Sequence, residues 1–163
     1  MTKEKYNFLG QIISEEEQYV SRKEEYFDES GNPKWKEWLI NSDEDGFDIS
    51  KEIERGKYKI RITLPANKKV VRYGVPQGNF TADEGTDFDG LSLPYKKESL
   101  EYHEYIVTQD IDVECIVMKG FAAPGFESNG GAIQYKHNEQ IIRLIRKGIL
   151  VEDFVWLSRM KKN

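Results

Sequence analysis

The chain has 163 residues, of which 38% are hydrophobic and 12% aromatic, and its formal net charge is −5. This length and composition predict one folded domain with a core of its own, and they exclude an intrinsically disordered chain. The sequence contains no run of 18 apolar residues, so it predicts no membrane-spanning helix. The acidic balance excludes the strongly basic surface that nucleic-acid binding requires.

The charge is distributed unevenly along the chain. Residues 1–55 carry 15 acidic and eight basic side chains, whereas residues 56–163 carry 14 acidic and 16 basic side chains. The N-terminus lacks the apolar stretch of a secretory signal, so we expect export to depend on another domain or route. Cys115 is the one cysteine of the sequence, which excludes an intrachain disulfide and a cysteine-based metal site.

The first predicted element is a lead-in helix, because apolar residues recur at helical spacing over residues 12–27 with glutamates opposite them. The Gly and Pro of ESGNPKW mark a turn, and Trp35, Trp38 and Leu39 then predict one or two helical turns. The period changes to two from residue 57. A strand is therefore expected at 57–64, followed by a short strand at 70–73.

Residues 74–99 are rich in turn-forming residues, and a stretch of this length without regular structure is typical of a functional segment. Strands are predicted at 102–108, 112–119 and 132–135. Asn138 is a candidate N-cap for a helix at 139–147, and residues 149–157 alternate like a closing strand. Together these elements predict a single compact α+β domain with an antiparallel β-rich core and a few peripheral helices.

Seven short motifs follow one another along the chain. They are GNPKW (31–35), DGF (45–47), RYGVPQGNF (72–80), GTDFDGLSLP (85–94), YHEYIV (102–107), PGFESNGGAIQY (124–135) and RKGIL (146–150). In this order they resemble the tuberculosis necrotizing toxin family. The resemblance covers residues 30–152 and implies an NAD+ glycohydrolase that hydrolyses NAD+ to nicotinamide and ADP-ribose. It divides the chain into the lead-in helix at 1–29 and a toxin-like domain at 30–163.

The resemblance implies that Gln134 and Arg72 are catalytic. A guanidinium is planar and always charged, so it can donate two parallel hydrogen bonds to a diphosphate. A carboxamide cannot titrate, but it can orient a ribose hydroxyl and stabilise the transition state. The residues assigned to substrate binding are Phe80, Tyr73, Gly74 and His103.

Several of these residues have a structural alternative. Arg72 could form a surface ion pair, Phe80 could belong to the core, and His103 could be a hydrogen-bonded structural histidine. His137, which precedes the predicted helix, is expected to be solvated.

Two positions depart from the family pattern. Family members often have tyrosine where this chain has Phe80, and many have arginine where it has Leu91. These departures leave two alternative functions open. One is an ADP-ribosyltransferase, an enzyme class that commonly uses a glutamate where this chain offers Gln134. The other is a non-catalytic nucleotide-binding or interaction module.

No cofactor is expected, since NAD+ would be the substrate, with NADP+ left open. The resemblance also implies a cognate immunity protein, delivery by a larger toxin or secretion system, and action in the cytoplasm of a target cell; no membrane partner is expected. One competing motif has the spacing of a calcium loop, but an asparagine replaces its first aspartate, so we predict a solvated loop without calcium. Its residues are Asn41, Asp43, Asp45, Gly46 and Glu52.

Overall fold

A computed structural model of the chain describes residues 4–38, 59–119, 125–128 and 130–160. Its strands form one seven-stranded antiparallel sheet in the order β1-β5-β6-β3-β2-β4-β7. The α+β class with an antiparallel β-rich core is therefore confirmed. The strands are β1 (Lys59–Leu64), β2 (Lys69–Tyr73), β3 (Phe80–Asp83), β4 (Tyr102–Val107), β5 (Ile111–Lys119), β6 (Gly130–Lys136) and β7 (Leu150–Glu152).

The α-helices of the described residues are short and lie around the sheet. They are α1 (Trp35–Trp38), α2 (Ile141–Arg146) and α3 (Val155–Met160). None of the helices in the described ranges has the length and apolar character needed to cross a bilayer.

Neighbouring side chains of a strand point to opposite faces of the sheet. Each face of this sheet carries a buried cluster of apolar side chains. Val70 belongs to a core cluster over which α2 packs, and Val71 belongs to a second cluster on the other face. The loop at 88–100 and the N-terminal segment cover this second face. Its buried members are Val71, Ala82, Phe88, Leu91 and Leu100.

The predicted lead-in helix at 12–27 is wrong. The segment instead forms 3-10 turns at Glu15–Glu17 and Glu24–Tyr26, joined by extended backbone. Its N–H groups bond to the rest of the domain: the amide of Tyr19 donates to the carbonyl of Ser99, and that of Arg22 donates to Pro94. Tertiary pairing thus replaces the local hydrogen bonds of a helix. The domain division at residue 29 stays a prediction.

Other predicted boundaries also need correction. The segment at 74–99 contains β3, and the closing strand predicted at 149–157 ends at Glu152. The carboxylate of Asp153 accepts the amide of Val155 at 3.0 Å, which caps the start of α3. Helix α2 begins at Ile141 with Gln140 as its N-cap, not Asn138. The candidate calcium loop at 41–52 lies outside the described residues.

Candidate functional site

A cavity of about 220 Å³ lies on the second face of the sheet. Its floor follows one row across three strands, because Val71 of β2 pairs with Ala82 of β3, which pairs with Gln134 of β6. Directly opposite residues in an antiparallel pair share a face. The lining residues are Tyr19, Val71, Arg72, Tyr73, Phe80, Thr81, Ala82, Leu91, Leu93, Tyr95, Leu100 and Gln134.

Gln134 lies in the middle of β6, where Ala82 is its partner on β3. Its side chain is half-buried and reaches the cavity. Within the described part of the chain, its amide forms no hydrogen bond, and it is not among the residues with a further polar contact. The carboxamide is therefore available to donate and accept at a ligand.

Arg72 is the penultimate residue of β2 and lies one residue beyond the pairs that β2 forms with β3. Its Nε donates to the carbonyl of Val75 at 2.7 Å and its Nη1 to the carbonyl of Phe80 at 3.0 Å. Burial lowers its pKa, but a guanidinium remains charged at neutral pH. Within the described residues no carboxylate lies in salt-bridge contact with it. Since a buried charge is costly without a countercharge, this site suits an anionic ligand.

Two aromatic residues of the predicted site also line the cavity. Phe80 begins β3 and belongs to neither core cluster, and the ammonium of Lys136 lies 6.0 Å from its ring centroid. The Tyr73 ring packs against Phe88 and Tyr102, each at a centroid distance of 5.0 Å. Burial raises the pKa of Tyr73 to about 12, which keeps the phenol neutral.

Gly74 and His103 are not among the lining residues. Gly74 shapes the turn after β2: its φ is 125°, and a Cβ there would lie 3.1 Å from the hydroxyl of Tyr19. His103 is enclosed by carboxylates, with Nε2 2.9 Å from Glu101 and Nδ1 2.7 Å from Glu152. This geometry matches the structural alternative for His103, and substrate contact by either residue stays a prediction.

The surroundings of His103 decide its charge. Burial lowers its pKa, but hydrogen bonds from the ring to Glu101 and Glu152 outweigh burial and raise the pKa to about 9. The ring is therefore an imidazolium at neutral pH, with both nitrogens donating to carboxylates.

His137 is not solvated, contrary to the sequence-based expectation. Its side chain is buried, and its Nε2 lies 2.8 Å from the hydroxyl of Thr81, which lines the cavity. Burial, and then the charge of Arg72, lower the pKa of His137 to about 4. The imidazole is therefore neutral at pH 7. The backbone of His137 is held beside the start of β3, because its amide donates to the carbonyl of Asn79 at 2.8 Å.

Sequence reasoning also missed seven lining residues, since none of them carries an independent signal. They are Tyr19, Val71, Thr81, Ala82, Leu93, Tyr95 and Leu100. Leu91, one of the two departures from the family pattern, is buried in the wall.

The chemistry of the lining is aromatic and apolar, with a guanidinium, a carboxamide and hydroxyl groups at fixed places. Among the described residues that line the cavity there is no carboxylate and no imidazole. The described residues also hold no group of three or more acidic, histidine or cysteine side chains placed to bind a metal. This arrangement can stack an aromatic ring, bind an anion and orient a hydroxyl, but it offers no group that exchanges protons near neutral pH.

Three solved structures are similar to the chain. The tuberculosis necrotizing toxin complexed with its immunity factor IFT is 23% identical with a TM-score of 0.42; the match covers 56% of this chain and 54% of that one. Tse6 in complex with Tsi6 is 22% identical, with coverages of 58% and 71% and a TM-score of 0.41. Rhs1-CT in complex with its cognate immunity protein RhsI1 is 17% identical, with coverages of 58% and 76% and a TM-score of 0.43.

These identities and TM-scores are too low to assign an activity or a partner. No curated protein matches the chain. The family model for the Tuberculosis necrotizing toxin matches residues 63–152, which hold β2, β3, β6 and every residue of the candidate site except Tyr19. Because this match spans more than half of the sequence, the chain belongs to the tuberculosis necrotizing toxin family.

Proposed function

We propose that this member of a bacterial toxin family is an NAD+ glycohydrolase. It would cleave the bond between nicotinamide and ribose with water, giving nicotinamide, ADP-ribose and a proton. The observation that supports the proposal is that Arg72, Gln134 and Phe80 line one cavity, although they are far apart in the sequence.

The size of the cavity limits how a dinucleotide fits. Its volume of about 220 Å³ is below the roughly 300–1,000 Å³ of sites that enclose a drug-sized ligand. We therefore place the nicotinamide riboside end inside it, against the aromatic rings, and the pyrophosphate at Arg72. The adenosine end would extend beyond the cavity. Leu91 is buried and apolar, so it offers no charge that would hold a phosphate group further inside.

The reaction makes modest demands on proton transfer. Nicotinamide leaves as a neutral molecule, so no general acid is needed, and the lining supplies none. The transition state is costly because positive charge develops on the ribose. The carboxamide oxygen of Gln134 can accept from a ribose hydroxyl, and its N–H can orient the attacking water. Phe80 would hold the nicotinamide ring by stacking.

The alternatives have less support. An ADP-ribosyltransferase of the common type needs a glutamate beside the nicotinamide ribose, and no carboxylate lines the described cavity. A non-catalytic nucleotide-binding module would use the same cavity without turnover. The Leu91 and Phe80 departures are the features that favour this second alternative.

The biological setting belongs to the same proposal. An enzyme that depletes NAD+ endangers the cell that makes it, so the protein would be held inactive by a cognate immunity protein. Two of the three similar structures contain an immunity factor or immunity protein, and the third is a complex of Tse6 with Tsi6. We propose delivery by a larger toxin or secretion system and action in the target-cell cytoplasm.

The proposal is tested by incubating the full chain with NAD+ and separating the products by chromatography. Equal amounts of nicotinamide and ADP-ribose are expected. ADP-ribose attached to protein, with little of it free, would support the transferase instead. Intact NAD+ with measurable binding would support the non-catalytic module. Parallel reactions with NADP+ determine whether the extra phosphate is accepted.

A further inference from the structure

The segment that precedes the family-matched region contributes a wall of the cavity. Tyr19 lies outside residues 63–152, yet its ring lines the cavity and packs edge-on against Tyr95 at 5.0 Å. No motif in the sequence points to it.

The backbone around Tyr19 is fixed by bonds to the loop before β4. The amide of Tyr19 donates to the carbonyl of Ser99 at 3.2 Å, and the amide of Val20 donates to the Ser99 hydroxyl at 2.9 Å. The side-chain oxygen of Gln18 accepts the amide of Glu101 at 2.9 Å. These bonds hold Tyr19 at a φ of 59°, which a non-glycine residue adopts only when its surroundings enforce it.

The Tyr19 hydroxyl reaches Arg72 through one intermediate residue. The amide of Val75 donates to the Tyr19 hydroxyl at 2.9 Å, and the carbonyl of Val75 accepts from Nε of Arg72 at 2.7 Å. Gly74 makes room for this contact, since a Cβ there would lie 3.1 Å from the hydroxyl. Tyr19 therefore fixes the residue that fixes the guanidinium.

We infer that Tyr19 is a positioning residue for Arg72 and that the N-terminal segment around it belongs to the functional unit. The geometric part depends only on the contacts of Tyr19, Val75 and Arg72. The consequence for NAD+ rests on the proposed function. Removing the hydroxyl leaves the Val75 amide without its acceptor. The turn after β2 then becomes more mobile, and the guanidinium of Arg72 samples a wider range of positions.

The test compares Tyr19→Phe, which keeps the ring, with Tyr6→Phe, which removes a hydroxyl outside the lining that bonds to Glu4. The first readout is hydrogen exchange at the Arg72 Nε–H by NMR, with the signal assigned by its loss in Arg72→Lys. Tyr19→Phe is expected to accelerate this exchange roughly 3- to 10-fold, the effect of one net hydrogen bond, and Tyr6→Phe is expected to leave it unchanged.

The second readout is the steady-state rate with NAD+. In Tyr19→Phe we expect KM to rise by the same roughly 3- to 10-fold while kcat changes less than twofold, because the proposed role of Arg72 is to bind the pyrophosphate, away from the bond that is cleaved. A general loss of structure would instead lower the active fraction and leave KM unaltered. Gly74→Ala is a second variant, since its methyl group would lie 3.1 Å from the Tyr19 hydroxyl and 3.5 Å from Nη2 of Arg72.

The two readouts separate failure of this inference from failure of the proposed function. Faster exchange in Tyr19→Phe with no NAD+ cleavage by the wild type retains the positioning role and rejects the activity. Unchanged exchange in both Tyr19→Phe and Gly74→Ala overturns the positioning role, whatever the result with NAD+. Faster exchange with an unchanged KM in an active enzyme would overturn its consequence for the substrate.

Discussion

Gly78 lies directly against the guanidinium of Arg72. A Cβ at residue 78 would stand 2.1 Å from Nη2 and 2.6 Å from Cζ of that side chain. The turn after β2 therefore requires glycine here for space, because the backbone must pass close to a charged side chain. In the segment RYGVPQGNF, the residues that follow Arg72 therefore fold back around its guanidinium.

Gly78→Ala should displace Arg72 while leaving the fold intact, because the clash involves the far end of a flexible side chain. We expect KM for NAD+ to rise about 10-fold, corresponding to the loss of a charge-assisted hydrogen bond, with little change in the midpoint of urea unfolding. Gly85→Ala is the matched control. Its φ is +83° with nothing within 4 Å, so it should cost about 1 kcal/mol of stability and leave KM unchanged. A wild-type KM for Gly78→Ala would contradict the role of Arg72.

Gln134→Ala should lower kcat about 10²- to 10³-fold, the effect of removing one preorganised donor. Binding of ADP-ribose should change less than the rate, since the amide is proposed to act mainly in the transition state. Gln77→Ala, an exposed carboxamide in the turn after β2, serves as control. Full activity of Gln134→Ala in a single-turnover assay would remove the carboxamide from the mechanism.

Arg72→Lys keeps the charge but loses the planar fork and its bonds to Val75 and Phe80. We expect KM for NAD+ to rise about 10- to 100-fold and competitive inhibition by inorganic pyrophosphate to weaken in proportion. The control is Arg61→Lys, an exposed arginine on β1. If pyrophosphate inhibits the wild type and Arg72→Lys equally, the anion binds elsewhere.

The imidazolium of His103 should make stability fall at high pH. Its pKa is about 9 in the folded chain against about 6.5 when unfolded, so its contribution is complete below pH 6.5 and disappears as the pH rises through 9. The expected loss is roughly 3 kcal/mol in the free energy of unfolding. Urea unfolding of wild type and His103→Gln at pH 6 and pH 10 measures it, and an equal decline in both proteins would count against the assignment.

His137 should have the opposite effect. Its pKa is about 4 in the folded chain, below the unfolded value of about 6.5, so its contribution is present above pH 6.5 and is lost as the pH falls through 4. We expect the decline in stability between pH 6.5 and pH 4 to be smaller in His137→Gln by up to roughly 3 kcal/mol. A decline in this variant as steep as that of the wild type would show that other groups dominate acid unfolding.

The sequence by itself determined the class of the fold and the family. Alternating apolar residues predicted β1, β2, β4 and β5 to within a few residues, because strand periodicity is a local property of the chain. The ordered motifs identified Arg72 and Gln134 as residues to examine together. The alternation of residues 149–157 wrongly predicted one continuous strand. The chain instead forms helix α3 from Val155, whose amide donates to the carboxylate of Asp153.

Only the tertiary structure decided which residues share the cavity. Val71, Ala82 and Gln134 meet because β3 pairs between β2 and β6, and Tyr19 joins them because its backbone bonds to distant loops. The contrast between His103 and His137 also depends on Glu152 and Thr81, which contact these two rings from about 50 residues away in the sequence. Strand pairing and burial depend on how the whole chain packs, so local sequence patterns do not predict which strands pair or which side chains are buried together.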